Sequence, residues 1–275
     1  MPRGRRLIEP FAGSAAITLA AASRQAFGRY VIGDALRPLA QVWELILTDP
    51  EHLCSTYERL WRSQLADPRS AYDEVRRQFN AMQDPALLLY LLARCVKASV
   101  RFNGQGEFNQ SPDNRRLGMR PQVMRREIMS ASALLDQCTE VVAADFRDTL
   151  SRATPEDVVY MDPPYQGISG GRDRRYFQGV TVRDLVAEMR RLNAIGIPFL
   201  LSYDGACGER KYGEDLPDEL NLARVLLQAG RSSQSTLVGR EEHTVESLYI
   251  SPAAQAALSG SASVISPAKQ LALYP

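Results

Sequence analysis

Asp157-Val158-Val159-Tyr160-Met161-Asp162-Pro163-Pro164-Tyr165 is a short apolar run that stops on an acid, two prolines and an aromatic ring. The run predicts a buried strand. Its end predicts an acid and a rigid turn at the carboxyl edge of a sheet, where open α/β sheets bind ligands. Neither proline has a backbone N–H, and both fix φ. The Asp162 side chain and the Pro163 carbonyl are then two fixed acceptors, stiffened by Pro164, with the Tyr165 ring beside them. Two acceptors and a ring suit an exocyclic amine on a planar ring. The plainer alternative is a strand end followed by a proline-rich turn.

Working outward, Leu7-Ile8 reads as a first strand, followed by Glu9-Pro10-Phe11-Ala12-Gly13-Ser14-Ala15 and a helical run to Ala26. A strand, a tight turn of small residues and a helix start can seat a ligand against helix N–H groups. Gly13, Ser14 and Ala15 let the backbone approach that ligand closely. Tyr30-Val31-Ile32 reads as a second strand ending near Asp34. A carboxylate there suits a ribose diol, but Asp34 is equally readable as a turn or N-cap residue. Glu9 has two readings as well, a partner for a ligand ammonium or organiser of the turn, and a solvent-facing charge.

From Leu39 to about Gln137 the pattern is helical, with helices predicted at Pro38–Leu47, Glu51–Gln64, Ser70–Asn80, Pro85–Val100 and Pro121–Gln137. Inside this region, residues 101–110 form a polar, glycine-punctuated loop or hairpin bearing Arg101, Asn103 and Asn109. Arg115, Arg116, Arg120, Arg125 and Arg126 follow. Strands return at Glu140–Ala144, Asp157–Met161, Ile197–Leu201, Ala223–Leu227 and Val245–Ile250, with a helix at Val182–Ala194. The order predicts an α/β sheet domain, residues 1–48 and 138–275, interrupted by a helical module, residues 49–137.

Composition excludes more than it assigns. The 275 residues carry 33 Lys and Arg against 32 Asp and Glu, so a nucleic-acid partner must be argued from local clusters. Two histidines and four cysteines without C-x-x-C spacing leave no zinc site or His-based triad, and no metal is expected. The cysteines read as reduced thiols of a cytoplasmic protein. No stretch reads as a membrane span; the most apolar helix, from Pro85, is broken by Arg94 and Lys97.

Taken together these residues resemble the Dam-like, D12-class DNA adenine-N6 methyltransferases, the group with the α order of motifs. Glu9-Pro10-Phe11-Ala12-Gly13-Ser14 is similar to that family's S-adenosylmethionine (SAM) motif, and Gly33-Asp34-Ala35 to its ribose-binding acid. Ala144-Asp145-Phe146-Arg147-Asp148-Thr149-Leu150 resembles the segment that holds the SAM adenine, with Asp145 accepting from the N6 amine and Phe146 packing on the purine. Asp162–Tyr165 matches the catalytic tetrapeptide. Arg101-Phe102-Asn103 with Gly106-Glu107-Phe108-Asn109 resembles the stretch preceding the DNA-recognition hairpin. Phe199–Asp204 is similar to a pocket-wall motif in which Tyr203 replaces the usual Asn.

The resemblance implies a Rossmann-like, mostly parallel, seven-stranded sheet with an inserted helical DNA-recognition subdomain. It implies SAM as cofactor and methylation of adenine N6 in double-stranded DNA, with the base flipped from the stack. A bacterial, archaeal or phage-encoded protein is implied, with a cognate restriction endonuclease as a candidate partner. Arg115, Arg116 and Arg120 are expected on DNA, and Arg172, Arg174 and Arg175 on the extruded nucleotide. Adenine in RNA, cytosine N4 in DNA, or a nucleic-acid-binding protein without turnover are the alternatives. One departure stands out. The family's K-W-x-G-G-K segment has no counterpart before Glu9, and Lys269 in Ser266–Gln270 is the only candidate elsewhere, as in a circular permutation.

Overall fold

Asp-Pro pairs write much of the helical architecture. Asp49-Pro50, Asp67-Pro68 and Asp84-Pro85 begin helices α3 (Pro50–Ser63), α4 (Pro68–Met82) and α5 (Pro85–Arg94). Each Asp caps by accepting from backbone N–H groups two or three residues on: His52, then Arg69 and Ser70, then Ala86. Proline tolerates the first helical position because the N–H it lacks would be unpaired there. The computed structural model describes residues 1–96, 100–164, 180–207, 210–212, 216–231 and 243–262.

The strands are β1 (Arg6–Glu9), β2 (Arg29–Gly33), β3 (Thr139–Val142), β4 (Val158–Met161), β5 (Phe199–Cys207), β6 (Arg210–Tyr212), β7 (Ala223–Arg231) and β8 (His243–Ile250). Their order is β3-β2-β1-β4-β5-β8-β7, with short β6 pairing β5 outside that path. The pairs from β3 to β5 are parallel, and β8 runs antiparallel to both β5 and β7. This is the expected mostly parallel seven-stranded sheet with one added strand. The chain winds outward from β1 through β2 to β3 and then crosses to β4. The direction therefore reverses between β1 and β4, which opens a crevice at their carboxyl ends.

Alternation along the strands divides the core. Leu7, Ile32, Val158 and Leu200 point to one face, packed with α1 (Ala16–Ala22), α2 (Arg37–Thr48), α3, α4, α5 and α6 (Pro121–Leu135). Ile8, Val31, Val159, Met161 and Leu201 point to the other, against α7 (Phe146–Ser151) and α8 (Val182–Ala194). A final helix, α9, covers Pro252–Ala262, where the sequence predicts a tail.

Several boundaries differ from expectation. Helix α5 stops at Arg94, not Val100, because Cys95 turns extended and bridges Pro112. Helix α1 ends at Ala22, and the chain then takes a positive φ at Gln25. Strand β5 runs on to Cys207 because β8 continues to pair with it past an irregularity between Ser202 and Gly205.

Candidate active site

The crevice at the β1/β4 switch brings together the turn after β1 and the acid after β4. The turn is built from unusual backbone. Gly13 and Ala15 both adopt positive φ, at 51° and 47°. The Ala15 N–H donates to Ala12 O at 2.6 Å, and Trp43 Nε1 donates to Gly13 O at 2.9 Å. A Cβ at Gly13 would meet nothing within 4 Å, so space lies open over the turn.

Asp34 holds this turn to the next one. Its Oδ2 accepts from the Gly13 N–H at 3.1 Å and its Oδ1 from the Leu36 N–H at 2.8 Å. The turn-residue reading of Asp34 is therefore realised, and any hydroxyl it meets must use its remaining lone pairs. Burial raises its pKa, and the two N–H groups oppose that rise. Behind it, Gly33 is packed so closely that a Cβ would lie 2.8 Å from Thr149 Cγ2 and 3.2 Å from Pro10 Cα.

Glu9 corrects the solvent-facing alternative. It is 3% exposed, and its Oε2 accepts from the Thr18 N–H at 3.0 Å and Thr18 Oγ1 at 2.6 Å. It thus caps the start of α1 from beneath. Burial lifts its pKa to about 7, against the opposing Thr18 hydrogen bonds.

Asp145 and Phe146 sit differently from a simple adenine pocket. Asp145 caps α7, accepting from the Arg147 N–H at 3.0 Å and Arg147 Nε at 2.7 Å. Burial alone would raise its pKa; Arg147 outweighs that and lowers it. Phe146 is buried, stacked on Phe11 at 5.0 Å, with the Arg147 guanidinium 5.7 Å from its ring. Half-buried Phe11 is the more accessible ring of this pair.

Asp162 is the acid whose local chemistry is distinct. At Asp84-Pro85-Ala86 the carboxylate is consumed by the N–H two residues on. Pro164 deletes that N–H after Asp162. Among the described residues no hydrogen-bond donor reaches the Asp162 carboxylate, and it stays open to solvent on one side. Partial loss of solvation on its other sides, with the nearby Glu246 charge on β8, pushes its pKa up to about 6. Pro163 is buried and Pro164 half-buried. Tyr165, Arg172, Arg174, Arg175 and Lys269 lie outside the described residues.

The helical side carries the other expected residues. Arg101, Asn109, Arg115, Arg116 and Arg120 are exposed. Among the described residues no acid pairs with Arg115 or Arg120, and Arg116 lies 4.0 Å from Asp113 while 85% exposed. Arg125 and Arg126 are instead paired with Glu51 and Glu127, which removes them from the free cluster. Asn103 is occupied in shaping its own turn: its Oδ1 accepts from the Gln105 and Glu107 N–H groups, and its Nδ2 donates to Glu107. Sequence reasoning did not single out Glu246, Thr18 or Trp43. Their roles depend on strand neighbours and packing that no local pattern displays, although an acid inside the strand-like run Val245–Ile250 was a signal.

A sheet that reverses at β1/β4, with an acid on one side and a glycine turn on the other, belongs to the α/β class that binds ligands at its switch point. Residues 1–229 match the family described as D12 class N6 adenine-specific DNA methyltransferase, and the chain belongs to that family. It is 28% identical over 208 residues to the retron Ec67 DNA adenine methylase of Escherichia coli, covering 74% of this chain and 70% of that protein. It is 26% identical over 173 residues to a Vibrio cholerae DNA adenine methylase and 28% identical over 173 to one from Salmonella typhi. Each of those matches covers 62% of this chain and 59% of the relative. Among the described residues no helix is long and apolar enough to cross a membrane, and no cluster of His, Cys, Asp and Glu is placed to hold a metal.

Proposed function

We propose that this protein transfers a methyl group from SAM to the N6 amine of an adenine flipped out of a specific double-stranded DNA sequence. The observation that carries it is Asp162 at the switch-point crevice, an acceptor that Pro164 keeps free of local donors. The cofactor fits what the crevice offers: open space over Gly13, an adjacent helix start, the half-buried Phe11 ring and the acids Asp34 and Asp145. When bound it supplies an electrophilic methyl group. Glu9 through Ala15 form its seat, with Asp34 toward the ribose and Asp145 toward the adenine amine. Glu9 acts on that seat through α1, and Phe146 acts by backing Phe11.

Asp162 and the Pro163 carbonyl each accept from one N6 hydrogen of the target base. That pull favours a pyramidal nitrogen and frees its lone pair, and it strengthens as positive charge grows on nitrogen. The exposed arginines 101, 115, 116 and 120, with Asn109, meet DNA, while Asn103 keeps their loop in shape. Tyr165 is proposed as the stacking partner of the base, and Arg172, Arg174 and Arg175 as contacts to the extruded nucleotide. With DNA as substrate, the proposed compartment is the cytoplasm, for a bacterial, archaeal or phage-encoded protein.

Long-read sequencing of modified bases in DNA from cells expressing the chain tests this reading. N6-methyladenine in one recurring context, absent with Asp162→Ala, is expected. Methylated cytosine N4, methylated RNA alone, or no modification would replace it with one of the alternatives. A cognate restriction endonuclease is a second proposed partner, tested by whether the methylated context resists that nuclease.

A further inference from the structure

Residues 108–119 form almost no regular structure, yet their backbone is held at six points by side chains reaching from the helices beneath. Asn80 of α4 grips Phe108 from both sides, donating to its carbonyl at 3.1 Å and accepting from its N–H at 2.8 Å. Tyr72 of α4 donates its hydroxyl to Gln110 O at 2.9 Å. Arg94, the last residue of α5, donates to Asp113 O at 2.9 Å and to Arg116 O. Gln64, which caps the carboxyl end of α3, donates to Leu117 O at 2.9 Å, and Tyr57 of α3 donates to Met119 O at 2.7 Å.

The donors are themselves joined. Gln64 Oε1 accepts from Arg94 Nε at 2.5 Å and from the Tyr90 hydroxyl at 3.0 Å. Tyr57, Gln64, Tyr72, Tyr90 and Arg94 are each no more than 2% exposed. Arg94 is a buried cation whose oxygen partners here are an amide and two loop carbonyls, with no carboxylate among them. A buried charge left without its hydrogen bonds is costly. The guanidinium therefore makes any departure of residues 113–116 from this path expensive. Gly118 fits the same clamp: its φ is +80°, and a Cβ there would lie 3.0 Å from Ala93 O.

The geometry has a directional consequence. Carbonyls at 113, 116, 117 and 119 are drawn inward, and the side chains of Arg115, Arg116, Leu117 and Met119 stand exposed on the outside. We propose that Tyr57, Gln64 and Arg94 are positioning residues for target-sequence discrimination: they fix the backbone of residues 113–119 in one path so that its outward side chains meet base edges in a single register. This rests on the reading of that stretch as the DNA reader.

The test uses the full-length enzyme on a duplex library with randomised bases around adenine, read by modified-base sequencing. The measured quantity is the ratio of methylation in the preferred context to that in contexts one base pair away. Tyr57→Phe removes only the hydroxyl that holds Met119. Gln64→Glu keeps the acceptor for Arg94 and Tyr90 but sets a carboxylate against Leu117 O. Arg94→Lys keeps the charge and loses the fork. Each is expected to lower the ratio by about tenfold or more, the scale of one lost base contact, while SAM affinity by calorimetry stays unchanged. Arg94→Lys is expected to be the most damaging; if it does not fold, the two milder variants decide the matter. Folded variants that keep the wild-type ratio, or that lose rate equally in every context, would overturn the positioning role. If alanine at Arg115, Arg116 and Arg120 also changes nothing, the DNA-reader assignment falls; if those alanines matter and the buried variants do not, only the positioning role falls.

Discussion

An aromatic amine is a weak nucleophile, so the proposed mechanism requires Asp162 to be ionised when the amine arrives. Its pKa is raised to about 6, first by partial loss of solvation and then by the Glu246 charge. Methyl transfer is therefore expected to be lost as pH falls through about 6 and to be regained above it. Glu246→Gln removes a negative neighbour, which lowers the Asp162 pKa, so the acidic limb of the kcat/KM profile is expected to move to lower pH. An unchanged limb would mean that another group sets it. Asp162→Ala should cost about a hundredfold or more in rate, the scale of losing one fixed electrostatic partner, with the fold intact by circular dichroism. Glu9 allows a separate stability test. Its folded pKa of about 7 lies above its ordinary value of 4.5. Stability contributed by a group of this kind is present at low pH and is lost as pH rises through the folded value. Glu9→Gln, which keeps an oxygen for Thr18, is expected to gain on the wild type in melting temperature between pH 5 and pH 8 in the absence of ligand. The place of Asp162 at the end of β4 was legible from sequence because a proline pair advertises itself. The burial of Glu9 was not, since it depends on where α1 lies over β1.

At the scale of elements, the join of β2, α7 and the glycine turn is the tightest spot near the site. Gly33→Ala would drive a methyl group into Thr149, which is fully buried, and toward the backbone of Pro10. Overpacking of this kind costs about 1–3 kcal/mol. The urea midpoint is expected to fall accordingly, and Thr149→Ala in the same chain should restore part of it by removing both clashing atoms. No rescue would place the strain at Pro10 instead. The strands and most helices were legible because they obey short periodicities and because Asp-Pro pairs mark helix starts. Helix α8 falls on its expected range. The ends of α5 and β5 were not legible, because a bridge to Pro112 and a distant partner strand set them. The charge at Arg94 inside an apolar helix was visible in sequence, but its partners in residues 113–117 were not.

At the scale of the molecule, the proposed division into residues 1–48 with 138–275 and residues 49–137 is one of function more than of folding. A single apolar cluster runs from Leu7 and Leu200 on the sheet through Trp43 and Tyr57 to Phe79 and Phe108. The proposed recognition side is thereby packed against the sheet that carries the proposed catalytic acid. The whole chain has a formal charge of only +1, so attraction to DNA must come from where its charges are free. Arg125 and Arg126 spend theirs on Glu51 and Glu127, whereas Arg115 and Arg120 meet no acid among the described residues. Each arginine that touches a phosphate steepens the dependence of log affinity on log salt by about 1. Alanine at Arg115, Arg116 and Arg120 together is expected to flatten that slope by about 1 to 3, and at least one of the three to relax the methylated context. Arg125→Ala should leave the slope nearly unchanged, because it removes a charge already neutralised by Glu51. Filter binding of a fixed duplex at several salt concentrations separates these outcomes. Equal flattening by both variants would mean that free and paired arginines contribute alike and that the exposed cluster is not the DNA-docking surface.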